Sequence, residues 1–202
     1  MMVSRRQFFS QFARSLADRV VPDMSVEVED SRSSQSNESP PVRRWLRPPG
    51  ALPEAEFLKA CIRCTDCQEA CPHLTIRRLG PEFGNNAGTP AIIVDETPCY
   101  LCEGMPCIPA CEVGALLPTA VTDVRMGTAR LDLKKCYLSD GQPCDYCVRR
   151  CPLQDVAISF NGARLPVIHD EGCVGCGVCS YLCPADAITI VAQEPQAERS
   201  SK

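Results

Sequence analysis

Sixteen cysteines, about 8 % of the 202 residues, are the side chains best able to do chemistry in this sequence. They fall into four groups of four, spaced roughly 35 to 40 residues apart, and no cysteine lies outside a group. The groups are Cys61, Cys64, Cys67 and Cys71; Cys99, Cys102, Cys107 and Cys111; Cys136, Cys144, Cys147 and Cys151; and Cys173, Cys176, Cys179 and Cys183. Four thiolates can hold a metal centre, and their spacing indicates which one.

The first and fourth groups have the spacing C-x2-C-x2-C-x3-C followed by proline. This is the bacterial ferredoxin motif for [4Fe–4S] clusters. Three cysteines within seven residues wrap a loop around one corner of a cubane, and the fourth, on a segment that leads away, binds another cluster. Both groups therefore predict [4Fe–4S] clusters.

The second and third groups are expanded versions of the same motif. In CYLSDGQPCDYCVRRCP only the first interval is stretched, to seven residues, and Asp140, Gly141 and Pro143 provide the residues of a turn. The second group has a four-residue gap that contains Gly104 and Pro106. We interpret both as complete motifs with insertions. The sequence thus predicts four [4Fe–4S] clusters, about sixteen irons, with all sixteen cysteines as ligands.

Zinc and disulfides are the other common uses of closely spaced cysteines. Zinc tetrads usually come from two C-x2–4-C pairs well separated in sequence, unlike three ligands within seven residues. Disulfides belong to oxidising compartments, and two-residue spacing crowds neighbouring cysteines. Four near-copies of one spacing favour iron–sulfur clusters, and a zinc-stabilised interaction module stays as an alternative.

Short runs typical of β-strands lie between the groups. They are PAIIVD, ARLDL, AISF, LPVIHD and AITIVA, at residues 90–95, 129–133, 157–160, 165–170 and 187–192. Each repeat is expected to run from a strand through a cysteine loop and a short helix around the last cysteine to another strand. The predicted fold class is α+β, with tandem or nested ferredoxin-like units of the bacterial 2[4Fe–4S] type in residues 51–192.

The first 50 residues differ in composition. Phe8, Phe12, Leu16 and Val20 recur at four-residue steps, which predicts a short amphipathic helix in residues 1–21. Such a helix can cap the core, dock a partner or lie on a membrane surface. Residues 22–50 are rich in Ser, Pro, Glu and Arg and predict a flexible linker. The polar residues 193–202 predict a disordered tail.

The segment SRRQFF, at residues 4–9, looks like the start of a twin-arginine export signal. An apolar stretch should follow, but Arg14, Asp18 and Arg19 interrupt it. We therefore expect a cytoplasmic protein, with export to the periplasm through a twin-arginine signal as the alternative. No run of eighteen apolar residues predicts a transmembrane helix. Membrane association is expected only through a partner or the N-terminal helix.

Other function classes lack support in the sequence. The net charge of −4 argues against a nucleic-acid-binding protein, which typically has a basic excess. The two histidines, His73 and His169, have no neighbouring nucleophile or base in the sequence, and no nucleotide-binding loop is present. We expect an electron carrier or an accessory subunit of an oxidoreductase, not an enzyme.

The order of the groups (regular, one interval expanded to four residues, one interval expanded to seven, regular) resembles that of the ferredoxin-type NapF and NapG/MauM proteins of bacterial respiratory systems. The resemblance covers about residues 43–191. The third group looks like the family's own expanded group, RRWLRPPGALPEAEFLKAC is similar to NapF-like proteins, and CYLCEGMPCIPAC is more like NapG/MauM. Glu112 departs from the family's pattern, because proline usually follows the fourth cysteine.

This resemblance implies two classes of function. NapG-type proteins are exported and pass electrons from quinol towards a periplasmic enzyme, which implies an electron-transfer protein accessory to a respiratory oxidoreductase, as in periplasmic nitrate reductase systems. NapF-type proteins stay in the cytoplasm and help to prepare a molybdoenzyme precursor, which implies an assembly factor. The expected partner is a redox protein, either a molybdoenzyme or a quinol dehydrogenase.

The resemblance also implies how the groups share ligands. Related four-cluster subunits pair the first group with the fourth and the second with the third. The implied sets are Cys61, Cys64 and Cys67 with Cys183; Cys173, Cys176 and Cys179 with Cys71; Cys99, Cys102 and Cys107 with Cys151; and Cys136, Cys144 and Cys147 with Cys111. Adjacent pairing, first with second and third with fourth, is the alternative.

Overall fold

The computed structural model describes residues 45–193. The predicted N-terminal helix, most of the predicted linker and the predicted tail from residue 194 lie outside this range. The α helices within it are α1 (Glu54–Ala60), α2 (Asp66–Glu69), α3 (Tyr146–Arg149) and α4 (Val178–Tyr181). The strands are β1 (Ile76–Arg78), β2 (Pro90–Ile92), β3 (Gly127–Leu131), β4 (Ile158–Phe160), β5 (Pro166–Ile168) and β6 (Ile188–Ala192), and 3-10 helices cover Pro81–Asn86 and Val121–Asp123. The predicted mixture of short helices and short strands is confirmed.

The strands pair into two-stranded antiparallel sheets. Strand β1 pairs with β2, β4 with β5, and the longer β3 with β6. In the β3–β6 ladder Gly127 lies opposite Ala192 and Leu131 opposite Ile188. This ladder encloses the third and fourth groups, because β3 precedes the third group and β6 follows the fourth.

Residues 45–126 repeat this plan around the first and second groups, with a much shorter closure. An isolated antiparallel bridge joins Ala51, before the first group, to Leu116, after the second. Its hydrogen bonds run from Leu117 N to Gly50 O at 2.7 Å and from Leu52 N to Ala115 O at 3.1 Å. We call residues 45–126 the first half and residues 127–193 the second half.

The two main apolar cores are built partly from cysteine side chains. The first contains Phe57, Ile76 and Ile92 of the first half with cysteines of the first two groups, and it also includes Val174, Cys176 and Val178 of the second half. The second core contains Val148, Ile158 and Ile188 together with cysteines of the last two groups. Because the chain has few aromatic residues, cysteines supply much of the buried surface, so the integrity of each core depends on what the cysteines bind.

The lead-in segment, residues 45–50, belongs to the folded first half. Leu46 is 2 % exposed and exchanges two backbone hydrogen bonds with Ile92, which extends the β1–β2 sheet. Composition alone places this segment in the flexible linker, but its apolar and proline side chains are buried. The folded domain therefore begins before residue 51, and residues 45–50 do not belong to a flexible linker.

Arg47 fixes the lead-in segment from inside the fold. Its side chain is buried, and its guanidinium donates to Glu54 (two bonds), Asn86, Thr89 and the Pro90 carbonyl. All five N–H donors of the fork are thus used. The guanidinium carbon also lies 4.4 Å from the Trp45 ring centroid and 4.3 Å from that of Phe57. A buried charge is stable here because every donor is satisfied.

The short helices lie slightly earlier than the sequence predicts. Helices α2, α3 and α4 carry the third cysteines, Cys67, Cys147 and Cys179, and end before the fourth cysteine of each group. In the second group turns occupy the equivalent position. Among the helices of residues 45–193, none has the length and apolar composition needed to cross a bilayer.

Candidate metal centres

The structure places the sixteen cysteines around four separate cavities, four to each. The first cavity is lined by Cys61, Cys64, Cys67 and Cys111; the second by Cys99, Cys102, Cys107 and Cys71; the third by Cys136, Cys144, Cys147 and Cys183; and the fourth by Cys173, Cys176, Cys179 and Cys151. Each cavity thus takes three cysteines from one group and one from its neighbour in the same half. Every cysteine of the sequence lines one cavity.

This arrangement corrects the nested pairing that the resemblance implied. Cys183 lies with the third group rather than with the first, and Cys111 lies with the first group rather than with the third. The groups exchange their fourth cysteines in the adjacent way. The physical reason is the closure of each half: the β3–β6 ladder and the Ala51–Leu116 bridge each bring together the two ends of a segment that carries two consecutive groups.

Short helices explain why the fourth cysteine leaves its own group. Helix α2 makes a single turn after the first-group loop, and Cys71 N then donates to Gln68 O at 3.2 Å. One turn advances the chain by about 5.4 Å along the helix axis, and the helix ends at Glu69, so Cys71 lies beyond the helix and about one turn away from Cys67. Cys67 therefore faces the first cavity and Cys71 the second. Helices α3 and α4 do the same for Cys151 and Cys183.

The cysteine loops are shaped by left-handed backbone conformations. The residue before the second cysteine has φ of 61° at Arg63, 49° at Leu101 and 72° at Gly175. Only Gly175 adopts this conformation without steric cost, and for Arg63 and Leu101 the cost is about 1–2 kcal/mol each. Sequence reasoning missed Arg63 and Leu101, because only glycine or asparagine signals such a turn. Strain of this kind concentrates at ligand-binding loops.

Gly175 and Gly177 are needed mainly for close packing against the protein itself. A Cβ at Gly175 would lie 2.4 Å from the backbone of Gly127, at the start of β3. A Cβ at Gly177 would lie 2.6 Å from Cγ1 of Val94, in the first half. The structure thus shows which neighbours require a residue without a Cβ at these two positions of the loop.

Burial and mutual proximity raise the pKa values of the thiols. The pKa of Cys67 is raised to about 12 by burial and by the neighbouring Cys64 and Cys111. The pKa of Cys99 is raised to about 12, mainly by burial, with Cys176 contributing. The pKa of Cys147 is raised to about 11, again mainly by burial, with the neighbouring Cys144 contributing. Uncompensated thiolates are thus unfavourable in these cavities, and a cationic centre would compensate them.

Backbone N–H groups point at cysteine sulfurs, where they offset the negative charge of thiolate ligands. Ala129 N lies 3.4 Å from Sγ of Cys173, and Ala187 N lies 3.3 Å from Sγ of Cys183. Backbone hydrogen bonds also lower the pKa of Cys176 at Val178 and of Cys151 at Leu153, against the larger effect of burial. Hydrogen bonds to cluster sulfurs are one of the means by which proteins adjust reduction potentials.

The cavities fit a cubane better than a single ion. Within residues 45–193 no three His, Cys, Asp or Glu side chains converge as a site for one metal ion. A zinc ion holds its thiolates within about 2.3 Å of one point. Four cysteines, two of them buried and two half-buried, spread around an apolar cavity instead suit the corners of a [4Fe–4S] cluster.

The two histidines do not form a catalytic group. His73 is exposed at the edge of the second cavity, where its ring centroid lies 4.5 Å from that of Tyr100. His169 hydrogen-bonds Ser159 at 2.8 Å on the surface of the second half. Neither has the buried base or oriented nucleophile that acid–base or nucleophilic catalysis would use.

Comparison with known proteins agrees with the geometry. Residues 166–189 match the family model described as "4Fe-4S binding domain", which covers the fourth group, α4 and the start of β6. The chain is 35 % identical over 192 residues to the ferredoxin-type protein NapG of Escherichia coli (strain K12), covering 89 % of this chain and 80 % of that protein. It is 41 % identical over 156 residues to the methylamine utilization ferredoxin-type protein MauM of Paracoccus denitrificans (strain Pd 1222), covering 72 % and 69 %.

A more distant similarity connects the chain to NapF. The ferredoxin-type protein NapF of Escherichia coli (strain K12) is 29 % identical over 152 residues, which cover 71 % of this chain and 83 % of that protein. The fold, the cysteine-lined cavities and these similarities define a ferredoxin-type iron–sulfur protein. Within that class, the chain belongs to the family of NapG and MauM ferredoxin-type proteins.

Proposed function

We propose that the chain binds four [4Fe–4S] clusters, one in each cavity, and conducts electrons between a donor protein and a respiratory oxidoreductase. The observation that carries the proposal is the three-plus-one arrangement of cysteines, repeated four times without a cysteine left over. A [4Fe–4S] cluster supplies one-electron redox chemistry when bound.

The protein's own residues would hold and insulate the clusters. The cysteine thiolates provide four ligands per cavity, and backbone N–H groups such as those of Ala129 and Ala187 offset the negative charge. Apolar side chains, such as Ile158 and Ile190 at the fourth cavity, exclude water from the sulfurs. Burial and hydrogen bonding of this kind set the reduction potential of a cluster.

Metal analysis of the native protein tests the cofactor directly. Anaerobically purified full-length protein should contain about sixteen irons per chain and acid-labile sulfide in equal amount. Reduction should bleach its brown colour and produce EPR signals of reduced [4Fe–4S] clusters. About four zinc ions in a colourless protein would instead support the zinc-stabilised module.

The partner and the direction of electron flow need a second experiment. An anaerobic pull-down from the native cell should recover a quinol dehydrogenase or a mature reductase if the chain is a conduit. Recovery of a molybdoenzyme precursor that still carries its signal peptide would support the assembly-factor alternative. Higher identity to NapG and MauM, at 35 % and 41 %, than to NapF, at 29 %, favours the conduit.

The compartment is part of the same proposal. The interrupted apolar stretch after SRRQFF favours the cytoplasm, whereas the greater similarity to NapG supports the alternative, export through a twin-arginine signal. We propose export, because the similarity to NapG extends over 89 % of this chain. Cell fractionation with an Arg5→Lys and Arg6→Lys double variant tests this: the native chain should reach the periplasm and the variant should not.

A further inference from the structure

We propose that electrons traverse the cavities in the order first, second, fourth, third, so that the path does not follow the sequence. The inference rests on the proposed function, because it assumes one cluster in each cavity. The order of the path follows from which cavities are neighbours, and contacts between the two halves show which cavities lie next to each other across the halves. The first and third cavities would be the two ends of the path, where partner proteins exchange electrons with it.

Neighbouring cavities within each half are fixed by the exchanged cysteines. Cys67 and Cys71 lie at the two ends of one helical turn but face the first and second cavities. Cys147 and Cys151 are related in the same way to the third and fourth cavities. The chain distance between the two ligands is so short that the cavities of one half must be adjacent.

The two halves meet at the second and fourth cavities. The backbone N–H of Cys99, which lines the second cavity, donates to the carbonyl of Cys176, which lines the fourth, at 2.8 Å. This hydrogen bond directly joins a cysteine of one half to a cysteine of the other. Electron tunnelling slows steeply with distance, so a direct contact between ligand residues marks the favoured crossing.

Packing around this contact involves the fourth group and not the third. Val174, Cys176 and Val178 belong to the apolar core of the first half. Met126 N donates to Val174 O at 3.1 Å, and Gly177 packs against Val94. None of the residues that line the third cavity belongs to that core, whereas Val174 and Cys176 both line the fourth cavity. A path in sequence order would have to cross from the second cavity to the third, where no such contact exists among the described residues.

The two proposed ends carry exposed apolar side chains beside their cysteines. Ile62, at the first cavity, is 66 % exposed, and Tyr146, at the third, is 51 % exposed. At the fourth cavity the flanking apolar residues, such as Val174 and Ile158, are buried. Tyr100, which lines the second cavity, is 41 % exposed, so the exposure distinguishes the fourth cavity from the other three and is expected if the fourth is an internal relay.

Spin coupling between reduced clusters tests the order in the full chain. Two double variants each remove one site: Cys173→Ala with Cys179→Ala for the fourth cavity, and Cys144→Ala with Cys147→Ala for the third. Each should keep about twelve of about sixteen irons. Without the fourth site, the third-cavity signal should become narrow and uncoupled. Without the third site, the fourth-cavity signal should stay broadened by the second.

The opposite pattern would overturn the order: a third-cavity signal still coupled to the first half after loss of the fourth site. A native chain without about sixteen irons would instead refute the proposed function, so the two failures are distinguishable.

A pair of glycine variants decides the question if a cysteine variant loses all its iron. Gly177→Ala introduces a Cβ 2.6 Å from Val94 and should push the halves apart. Gly104→Ala is the matched control, since it also lies in a cysteine loop with φ of 70° but has open space around it. Coupling between halves should weaken in Gly177→Ala and stay unchanged in Gly104→Ala, at equal iron content. Unchanged coupling in Gly177→Ala would contradict the crossing at this contact.

Discussion

Each half of the molecule holds a pair of cysteine groups, but different contacts join the two ends of each half. The second half is closed by the five-residue β3–β6 ladder. The first half is closed by the single bridge between Ala51 and Leu116, and it adds helix α1 and the buried Arg47 network. A regular ladder spreads its stability over many backbone bonds, whereas the first half concentrates it in one side chain. The same pair of cysteine loops can therefore be held by backbone pairing or by a buried ion pair.

The largest expected effect is on the first half, through Arg47. Arg47→Met should leave Glu54, Asn86 and Thr89 without their buried donor and destabilise the protein by about 3–5 kcal/mol. The irons of the first and second cavities should be lost, leaving about eight of sixteen. Denaturant unfolding followed by iron analysis measures both. Retention of all irons would show that the lead-in segment does not hold the first half together.

A steric change should damage the second half by a smaller amount. Gly175→Ala places a Cβ 2.4 Å from the Gly127 backbone, so the cysteine loop must move away from β3. Overpacking adds about 1–3 kcal/mol to a backbone cost of about 1–2 kcal/mol at this φ. Gly141→Ala is the control, since its φ is similarly positive and nothing lies within 4 Å. Equal melting temperatures of the two variants would refute the close packing.

The smallest effect is expected for the exposed ion pair of the second half. Arg130 and Asp170 lie 2.6 Å apart, but their side chains are 52 % and 59 % exposed. Arg130→Ala should change the free energy of unfolding by about 0–1 kcal/mol, because water screens such pairs. Comparing the losses of unfolding free energy in Arg130→Ala and Arg47→Met shows how much more a buried charge contributes to stability than an exposed one. A loss comparable to that of Arg47→Met would mean that the ladder alone does not close the second half.

Much of the fold follows from local sequence patterns. All five strands expected from runs such as PAIIVD and AITIVA are present, with slightly shifted ends. Strand β1 was missed because IRR is short and mostly charged, and α1 because its seven residues are too few for a clear helical period. Arg47 gave no signal, since a charged residue in an arginine- and proline-rich segment is normally exposed. Its burial depends on acceptors such as Asn86 that are distant in sequence.

The cysteine groups themselves are evident from spacing, but their partners are not. All four groups have nearly the same pattern, so nothing local distinguishes Cys183 from Cys111 as the fourth member of the first cavity. The choice depends on which strands close each half, and thus on long-range pairing such as that of Gly127 with Ala192. The resemblance to other four-cluster subunits implies nested pairing of the cysteine groups, whereas the structure places the cysteines of adjacent groups together.

Double cysteine variants test the three-plus-one grouping most directly. Cys71→Ala and Cys102→Ala should each perturb the same cluster, so the double variant should perturb only one of four clusters, as counted by Mössbauer spectroscopy and iron analysis. Cys71→Ala with Cys176→Ala should perturb two, because those cysteines line different cavities. Non-additive effects mark residues that act on one site. The reverse result, one perturbed cluster for Cys71 with Cys176 and two for Cys71 with Cys102, would contradict the adjacent grouping and restore the nested one.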